Sequence, residues 1–320
     1  MTDPIELQTL RIRRKAQIAR DIHLIELEHP DGQPLAPFSA GAHVPIRVPN
    51  GAMRQYSLCS DPASLDHYAI AVKREATGRG GSINLIDGVA EGDTLQVGPP
   101  ANLFGLSDKA RSFILVAGGI GITPMMAMLH ALQAEGLRAF KLYYLTRDDE
   151  STAFAQELRS SEWASRVVIH HDQGDPANAF DLWRIFEKPV SGAHVYCCGP
   201  QGLMDAVKDM CGHWPDSAIH FESFGADTRA HADDRPFEIE LAQSGRRLTV
   251  GVGQTMLQVL HDAQVQVPSS CESGSCGSCK VSLIEGEADH RDLVLLPEER
   301  ASKVMVCVSR ARGDRLVLDL

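Results

Sequence analysis

Phe113-Ile-Leu-Val-Ala-Gly-Gly-Ile-Gly-Ile-Thr-Pro124 sets the architecture of the middle of this chain. Its opening residues are apolar and suit a buried strand. The glycines at 118, 119 and 121 allow a tight turn, and a proline fits the first turn of a helix, where its missing N–H costs nothing. The run from 112 to 134 carries no Asp, Glu, Lys or Arg and has the length of a membrane span. The glycines and Pro124 interrupt it in the middle, so strand, turn and helix (124–132) is the better account. The alternation continues outward, with Lys141-Leu-Tyr-Tyr-Leu145 before a helical stretch at 153–158 and His194-Val-Tyr-Cys197 before another at 203–210. That texture predicts an open, parallel α/β sheet covered by helices.

Upstream, the short runs Ile22-His-Leu-Ile-Glu-Leu27, Val44-Pro-Ile-Arg-Val48, Tyr68-Ala-Ile-Ala-Val72 and Thr94-Leu-Gln-Val97 are separated by turn residues and predict a small antiparallel β-barrel. Downstream, Phe237-Glu-Ile-Glu-Leu241 and Arg247-Leu-Thr-Val250 predict a strand pair, followed by a helix at 256–263 and a glycine-rich cysteine loop. The expected division is a barrel over 1–106, an α/β domain over 107–225, a polar linker over 226–235 and an α+β domain over 236–320. A chain of 320 residues is long enough for such a multidomain layout.

A formal net charge of −11 argues against a nucleic-acid partner, which needs a basic face. Arg11, Arg13, Arg14 and Lys15 interrupt any secretory signal, so no membrane association is expected and the location is expected to be cytoplasmic. Eight cysteines in such a chain stay reduced and need another explanation than disulfides.

Four of them form the sharpest motif: Cys271-x4-Cys276-x2-Cys279, then 27 residues, then Cys307. Four thiolates at this spacing suit a two-iron, two-sulfide cluster, and the small residues at 270, 273–275, 277 and 278 let the backbone wrap it. The alternative, structural zinc, favours paired CxxC units or a histidine ligand. A second motif is Gly119-x-Gly121-x-x-Pro124, where a pyrophosphate could approach the backbone at a helix start. Alone it is weak, since a plain glycine turn has the same pattern. Cys198-Gly199-Pro200-Gln201, after a later strand, should open onto the same carboxyl edge, where ligands bind. A third is Arg54-Gln55-Tyr56-Ser57, with Gly78-Arg79-Gly80-Gly81-Ser82 further on. There an arginine could grip a phosphate, a tyrosine stack on a flavin and a serine hydrogen-bond a ring nitrogen.

These blocks, in this order, resemble the ferredoxin-NADP reductase superfamily, in the branch with a plant-type 2Fe-2S ferredoxin at the C-terminus. Leu115-Val-Ala-Gly-Gly-Ile-Gly-Ile-Thr-Pro124, Tyr196-Cys-Cys-Gly-Pro200, Phe221-Glu-Ser-Phe-Gly225, Pro268-Ser-Ser-Cys-Glu-Ser-Gly274 and Leu316-Val-Leu-Asp-Leu320 carry the likeness, which runs from end to end. The resemblance implies FMN in place of FAD, its phosphate held by Arg54, Gly80, Gly81 and Ser82. It implies Tyr56 and Ser57 at the ring, Val72, Lys73 and Arg74 lining the site, and Thr123 and Phe224 approaching from the nicotinamide side. NADH would lie along Gly119, Gly121, Thr123, Pro124, Cys198, Gly199 and Pro200. The electron acceptor it implies is an oxygenase with a Rieske centre acting on an aromatic acid, phthalate first. Reductases of vanillate- and carnitine-type systems share the layout.

Thr146-Arg147-Asp148-Asp149-Glu150 follows a strand where the adenine ribose should reach, and acids there would accept from a 2′-hydroxyl and repel a 2′-phosphate. NADH is therefore expected over NADPH, with Arg147 working against that preference. No acid or base catalyst is expected, because moving electrons from a nicotinamide needs orientation above all. Cys59, Cys197 and Cys211 read as small buried residues, and neighbouring His170 and His171 point to opposite faces of a strand. The chain is expected to be a monomer. The rival from another class is a redox-sensing module without turnover.

Overall fold

Strand β1 (Gln8–Ala19) turns through Arg20 and Asp21 into β2 (Ile22–Glu28), with Asp21 taking the left-handed backbone that the turn needs (φ 60°). After them come β3 (Ala42–Arg47), β4 (Met53–Ser57), β5 (Tyr68–Lys73), helix α1 (Gly81–Gly88), β6 (Thr94–Val97) and β7 (Ala101–Asn102). The sheet runs β4-β3-β6-β1-β2-β5, with β7 beside β3, and every pairing is antiparallel. A bridge between Leu58 and Ile70, with the Cys59 amide on the Ala69 carbonyl at 2.8 Å, joins the two edges and closes the barrel. Strand alternation gives each wall two jobs. Ile25, Leu27, Tyr68, Ile70 and Val72 fill the barrel, while Ile22, Leu24, Ala69 and Ala71 face outward into the core built around the next helix.

That core belongs to β8 (Ser112–Gly118), α2 (Ile122–Glu135), β9 (Ala139–Thr146), α3 (Ala155–Ser160), β10 (Val167–His171), α4 (Trp183–Phe186), β11 (Ala193–Cys198), α5 (Gln201–Met210) and β12 (Ile219–Glu222). The five strands are all parallel in the order β10-β9-β8-β11-β12. The chain winds outward from β8 to β10 and then returns to the other side, so the strand order reverses between β8 and β11. Helix α2 starts two residues before Pro124 and ends on Gly136, whose left-handed backbone (φ 66°) lets its amide reach the Leu132 carbonyl.

The structure is a computed structural model, describing residues 6–76, 80–160, 162–224, 234–269, 272–274, 277–292, 294–296 and 298–320. It divides into two units, Met1–Glu222 and Ser223–Leu320. The second unit contains β13 (Phe237–Leu241), β14 (Arg247–Val250), α6 (Met256–Asp262), β15 (Lys280–Glu285), β16 (Ala288–Asp289), β17 (Lys303–Met305), β18 (Arg310–Ala311) and β19 (Arg315–Leu318). Its main sheet runs β14-β13-β19-β15-β17 with β13 and β19 parallel at the centre, and β16 pairs with β18. Thr255 and Gln258 cap α6 reciprocally, and the helix buries Met256, Leu257 and Leu260 in a core with Ile239, Val304 and Leu316. The architecture is thus the expected antiparallel barrel, parallel α/β sheet and α+β ferredoxin-type domain.

Candidate active site

Four strands of the parallel sheet end on one edge. Gly118 pairs with Leu145, Ala117 with Cys198, and Cys198 with Glu222. In open α/β sheets ligands bind in the crevice at the carboxyl ends where strand order reverses, here between β8 and β11. The two loops leaving those strands pack backbone on backbone. A Cβ on Gly121 would stand 2.1 Å from the Cys198 carbonyl oxygen, one on Gly118 2.6 Å from Pro200 Cδ, and one on Gly199 3.0 Å from the Gly118 Cα. Gly119 is glycine for a different reason, its left-handed backbone (φ 53°) in open space. Thr123 is buried and donates to the Ile120 carbonyl at 3.1 Å, and Pro124 is buried in the first turn of α2.

Cys198 is wholly buried, and burial, reinforced by the Glu222 carboxylate, pushes its thiol well above the ordinary range. It remains an uncharged thiol at neutral pH. Glu222 is the residue that sequence reasoning assigned no role. The Ser57 hydroxyl donates to its Oε2 at 3.1 Å, joining the end of β4 to the end of β12 inside a buried setting. Its signals in the sequence are an acid closing the strand Ile219-His-Phe-Glu222 and its place in the stretch Phe221-Glu-Ser-Phe-Gly225 that carries part of the resemblance.

On the barrel side, Arg54 and Tyr56 pair with Ile46 and Val44 of β3. The Arg54 side chain lies across Gly81, where a Cβ would come within 2.8 Å of Nε. Residues 80–82 form the start of α1, with Gly80 in the left-handed region (φ 77°) at its N-cap. Its free amides and dipole end, beside a guanidinium, suit a phosphate. The Ser82 hydroxyl accepts from the Glu75 amide at 3.1 Å and keeps its own proton to donate. Burial pushes the Tyr56 phenol up to about 12, so the ring stays neutral. Val72 points into the barrel core, Lys73 sits 3.8 Å from Glu75, and Arg74 is held by both oxygens of Asp87 on α1 at 3.2 and 2.7 Å. Phe224 belongs to the second unit and is 45% exposed. Gly78 and Arg79 lie outside the described residues.

Beyond β9, Asp148 does not offer a free carboxylate. It caps the turn at 149–151, accepting from the Ser151 amide at 2.8 Å, and its second oxygen takes the Arg20 guanidinium at 3.0 Å. The Ser151 contacts, and then Arg20, hold it below the ordinary carboxylate range. Arg147 is exposed and has no side-chain partner among the described residues.

In the second unit, Cys279 and Cys307 are buried at adjoining ends of the paired strands β15 and β17. Lys280 of β15 pairs with Met305 of β17, and the Val306 amide donates to the Cys279 carbonyl at 3.3 Å. Cys271 and Cys276 lie outside the described residues. Glu272, Gly274 and Gly277 all adopt left-handed backbones (φ 51°, 73° and 79°), a conformation that turns amides into a concave nest. Gly274 packs so closely that a Cβ would stand 2.8 Å from Val308 Cγ2. Buried thiols beside a tightly wound, side-chain-poor loop fit an iron-sulfur cluster, whose sulfurs need backbone donors.

Profiles of two domain families match: an oxidoreductase NAD-binding domain over residues 115–209 and a 2Fe-2S iron-sulfur cluster binding domain over residues 239–312. The chain is 56% identical to phthalate dioxygenase reductase of Burkholderia cepacia, across the full length of both. It is 54% identical to the phthalate 4,5-dioxygenase oxygenase reductase subunit of Pseudomonas putida, over 97% of this chain and 96% of that one. Among solved structures, a phthalate dioxygenase reductase, described as a modular structure for electron transfer from pyridine nucleotides to [2Fe-2S], covers 98% of each chain at 57% identity and a TM-score of 0.78. With a full-length match at that identity and both domain profiles in the expected order, the chain belongs to the phthalate dioxygenase reductase family.

Proposed function

We propose that this chain is the NADH-oxidising reductase of a Rieske-type aromatic-ring oxygenase, with phthalate as the substrate of the oxygenase. Electrons pass from NADH through FMN to a 2Fe-2S cluster and on to that partner. The observation that carries this is the Ser57–Glu222 hydrogen bond beside buried Cys198, because it brings the barrel wall and the nucleotide-binding edge of the sheet to one point. The expected domains take these roles: FMN on 1–106, NADH on 107–225, a linker at 226–235 and the cluster on 236–320.

FMN supplies the exchange between a two-electron donor and a one-electron carrier. The residues supply placement. Arg54 with Gly80, Gly81 and Ser82 takes the phosphate, Tyr56 and Ser57 orient the ring, and Val72, Lys73 and Arg74 line the site from β5, Val72 through its backbone. Thr123, Cys198 and Phe224 bound the nicotinamide side, with Gly119, Gly121, Pro124, Gly199 and Pro200 shaping the floor, and Arg147 and Asp148 stand at the ribose end. The neutral Cys198 thiol adds bulk without charge, and the Glu222 carboxylate meets Ser57 there. Cys271, Cys276, Cys279 and Cys307 hold the cluster. Among the described residues no helix is long and apolar enough to cross a membrane. The proposed reductase works as a cytoplasmic monomer and hands its electrons to the oxygenase.

Serine substitution of each of the eight cysteines, followed by iron assay and visible absorbance, tests the cluster assignment. Two irons per chain should be lost at 271, 276, 279 and 307 and retained at 59, 197, 198 and 211. Acid release of the flavin, compared with FMN and FAD standards, should give FMN. Oxidation of NADH that stops after one equivalent, with no acceptor able to continue it, would instead indicate a redox sensor.

A further inference from the structure

Three acids follow one arginine in Arg147-Asp-Asp-Glu150, and all three are occupied. Asp149 pairs with Arg159 of α3 at 2.5 Å, ten residues further along the chain. Asp148 gives one oxygen to the Ser151 amide and the other to Arg20, and the carboxylate of Glu150 is also bound by Arg20. Arg20 comes from the β1–β2 turn of the barrel, 128 residues from Asp148 in sequence, and its backbone amide donates to the Glu150 carbonyl at 2.7 Å. The backbone contact anchors the turn whatever the side chain is. The guanidinium adds charge compensation alone. Asp148, Asp149 and Glu150 are thereby paired with Arg20 and Arg159, three carboxylates on two guanidiniums, and exposed Arg147 is left without a side-chain partner among the described residues.

We propose that Arg20 is a specificity-determining positioning residue: by neutralising Asp148 and Glu150 from the barrel side, it sets how strongly the adenosine end rejects a 2′-phosphate. The proposal rests on the reading that residues 147–151 receive the adenine ribose. A 2′-hydroxyl is uncharged and senses little of this field, whereas a 2′-phosphate senses every unpaired carboxylate within a few ångströms. Removing the guanidinium leaves two carboxylates facing that phosphate, with Arg147 alone to offset them. The acids noted in the sequence therefore discriminate only as far as Arg20 allows.

The test is steady-state oxidation of NADH and NADPH by the intact holoenzyme, with ferricyanide as acceptor, in Arg20→Gln, Arg20→Lys and Arg147→Gln. Arg20→Gln should raise KM for NADPH roughly three- to tenfold while KM for NADH and both kcat values stay within about twofold. The shift should shrink at high salt, and Arg20→Lys should stay near the parent ratio. An equal loss for both cofactors would show a merely structural contact, and an unchanged NADH-to-NADPH ratio would show that the compensation is irrelevant. Either result overturns the proposal. Arg147→Gln separates it from the reading beneath it, because that variant should weaken NADPH on any account that puts the ribose here. A response at 147 without one at 20 defeats the role of Arg20, and no response at 147 from either cofactor places the adenosine end elsewhere.

Discussion

The Ser57 hydroxyl and Glu222 Oε2 are 3.1 Å apart, on residues separated by 165 positions. A buried carboxylate with a hydroxyl donor is oriented, and on the proposed assignment this pair holds the flavin and nicotinamide surfaces at a fixed separation. Glu222→Gln and Ser57→Ala should therefore lower the rate of flavin reduction by NADH about 10- to 100-fold in stopped flow, the penalty for misplacement by about an ångström. Flavin and iron contents should stay at parental levels. If both variants reduce at the parental rate, the hydrogen bond is an incidental contact of two domain surfaces. This pair also marks the limit of what residues reveal in a linear sequence. Ser57 was legible, sitting within a flavin-type motif, and Glu222 was not, because its meaning lies wholly in a partner from a different domain. Cys198 was legible in place but not in state, since its burial comes from the loop that crosses it at Gly121.

At the level of elements, strands β11 and β12 carry an aromatic ladder that no spacing rule exposes. Tyr196 pairs in register with His220, their rings stack at 4.3 Å, and His220 stacks in turn on His194 at 5.2 Å, with the two imidazoles hydrogen-bonded at 2.9 Å. The Tyr196 hydroxyl then donates to the Gly105 carbonyl and accepts from the Ser107 amide, tying the segment after the barrel to the sheet. Burial, and then His194, push His220 down to about 4. A histidine whose folded value is depressed binds fewer protons than in the unfolded chain, so stability is full above about 6.5 and is lost as pH falls toward 4. Urea unfolding of the first unit between pH 7 and pH 4 should show this loss, and His220→Gln should flatten it. An identical pH slope in the variant would assign the effect to other groups. The same sheet shows what local sequence carries well and what it does not. Apolar runs expose β8, β9 and β11, whereas Arg11, Arg13, Arg14 and Lys15 mask the alternation of buried Leu10 and Ile12 in β1. Gly80-Gly81-Ser82 has poor helix propensity and hides α1, which the left-handed Gly80 and the Asn84 side chain on the Gly80 carbonyl, at 2.9 Å, start.

Across the whole molecule, the chain divides into Met1–Glu222, which contains the match to an NAD-binding domain, and Ser223–Leu320, which contains the match to a 2Fe-2S cluster binding domain. Each unit has its own core: the barrel and sheet share theirs through outward-facing Ile22, Leu24, Ala69 and Ala71, and the second unit closes over Ile239, Leu260, Val304 and Leu316. Arg310 is buried under Phe237 and donates to the carbonyls of Arg235, Gly251 and Gln254, and Arg291 grips Asp234, so the start of the second unit is fastened to its own body. A chain truncated after Gly225 keeps every core residue of the first unit, Phe224, and each residue assigned to FMN or NADH. Domains with complete cores fold independently. The truncated protein should bind flavin, and NADH should reduce it at close to the full-length rate, because nothing that places the two cofactors has been removed. Transfer from it to a one-electron protein acceptor such as a cytochrome should collapse, because the four cysteines are gone. Unimpaired transfer would mean that electrons leave from the flavin, and the order NADH, FMN, cluster, oxygenase would be wrong. Loss of flavin binding in the truncated protein, with the barrel still folded by circular dichroism, would instead show that flavin binding needs residues beyond 225.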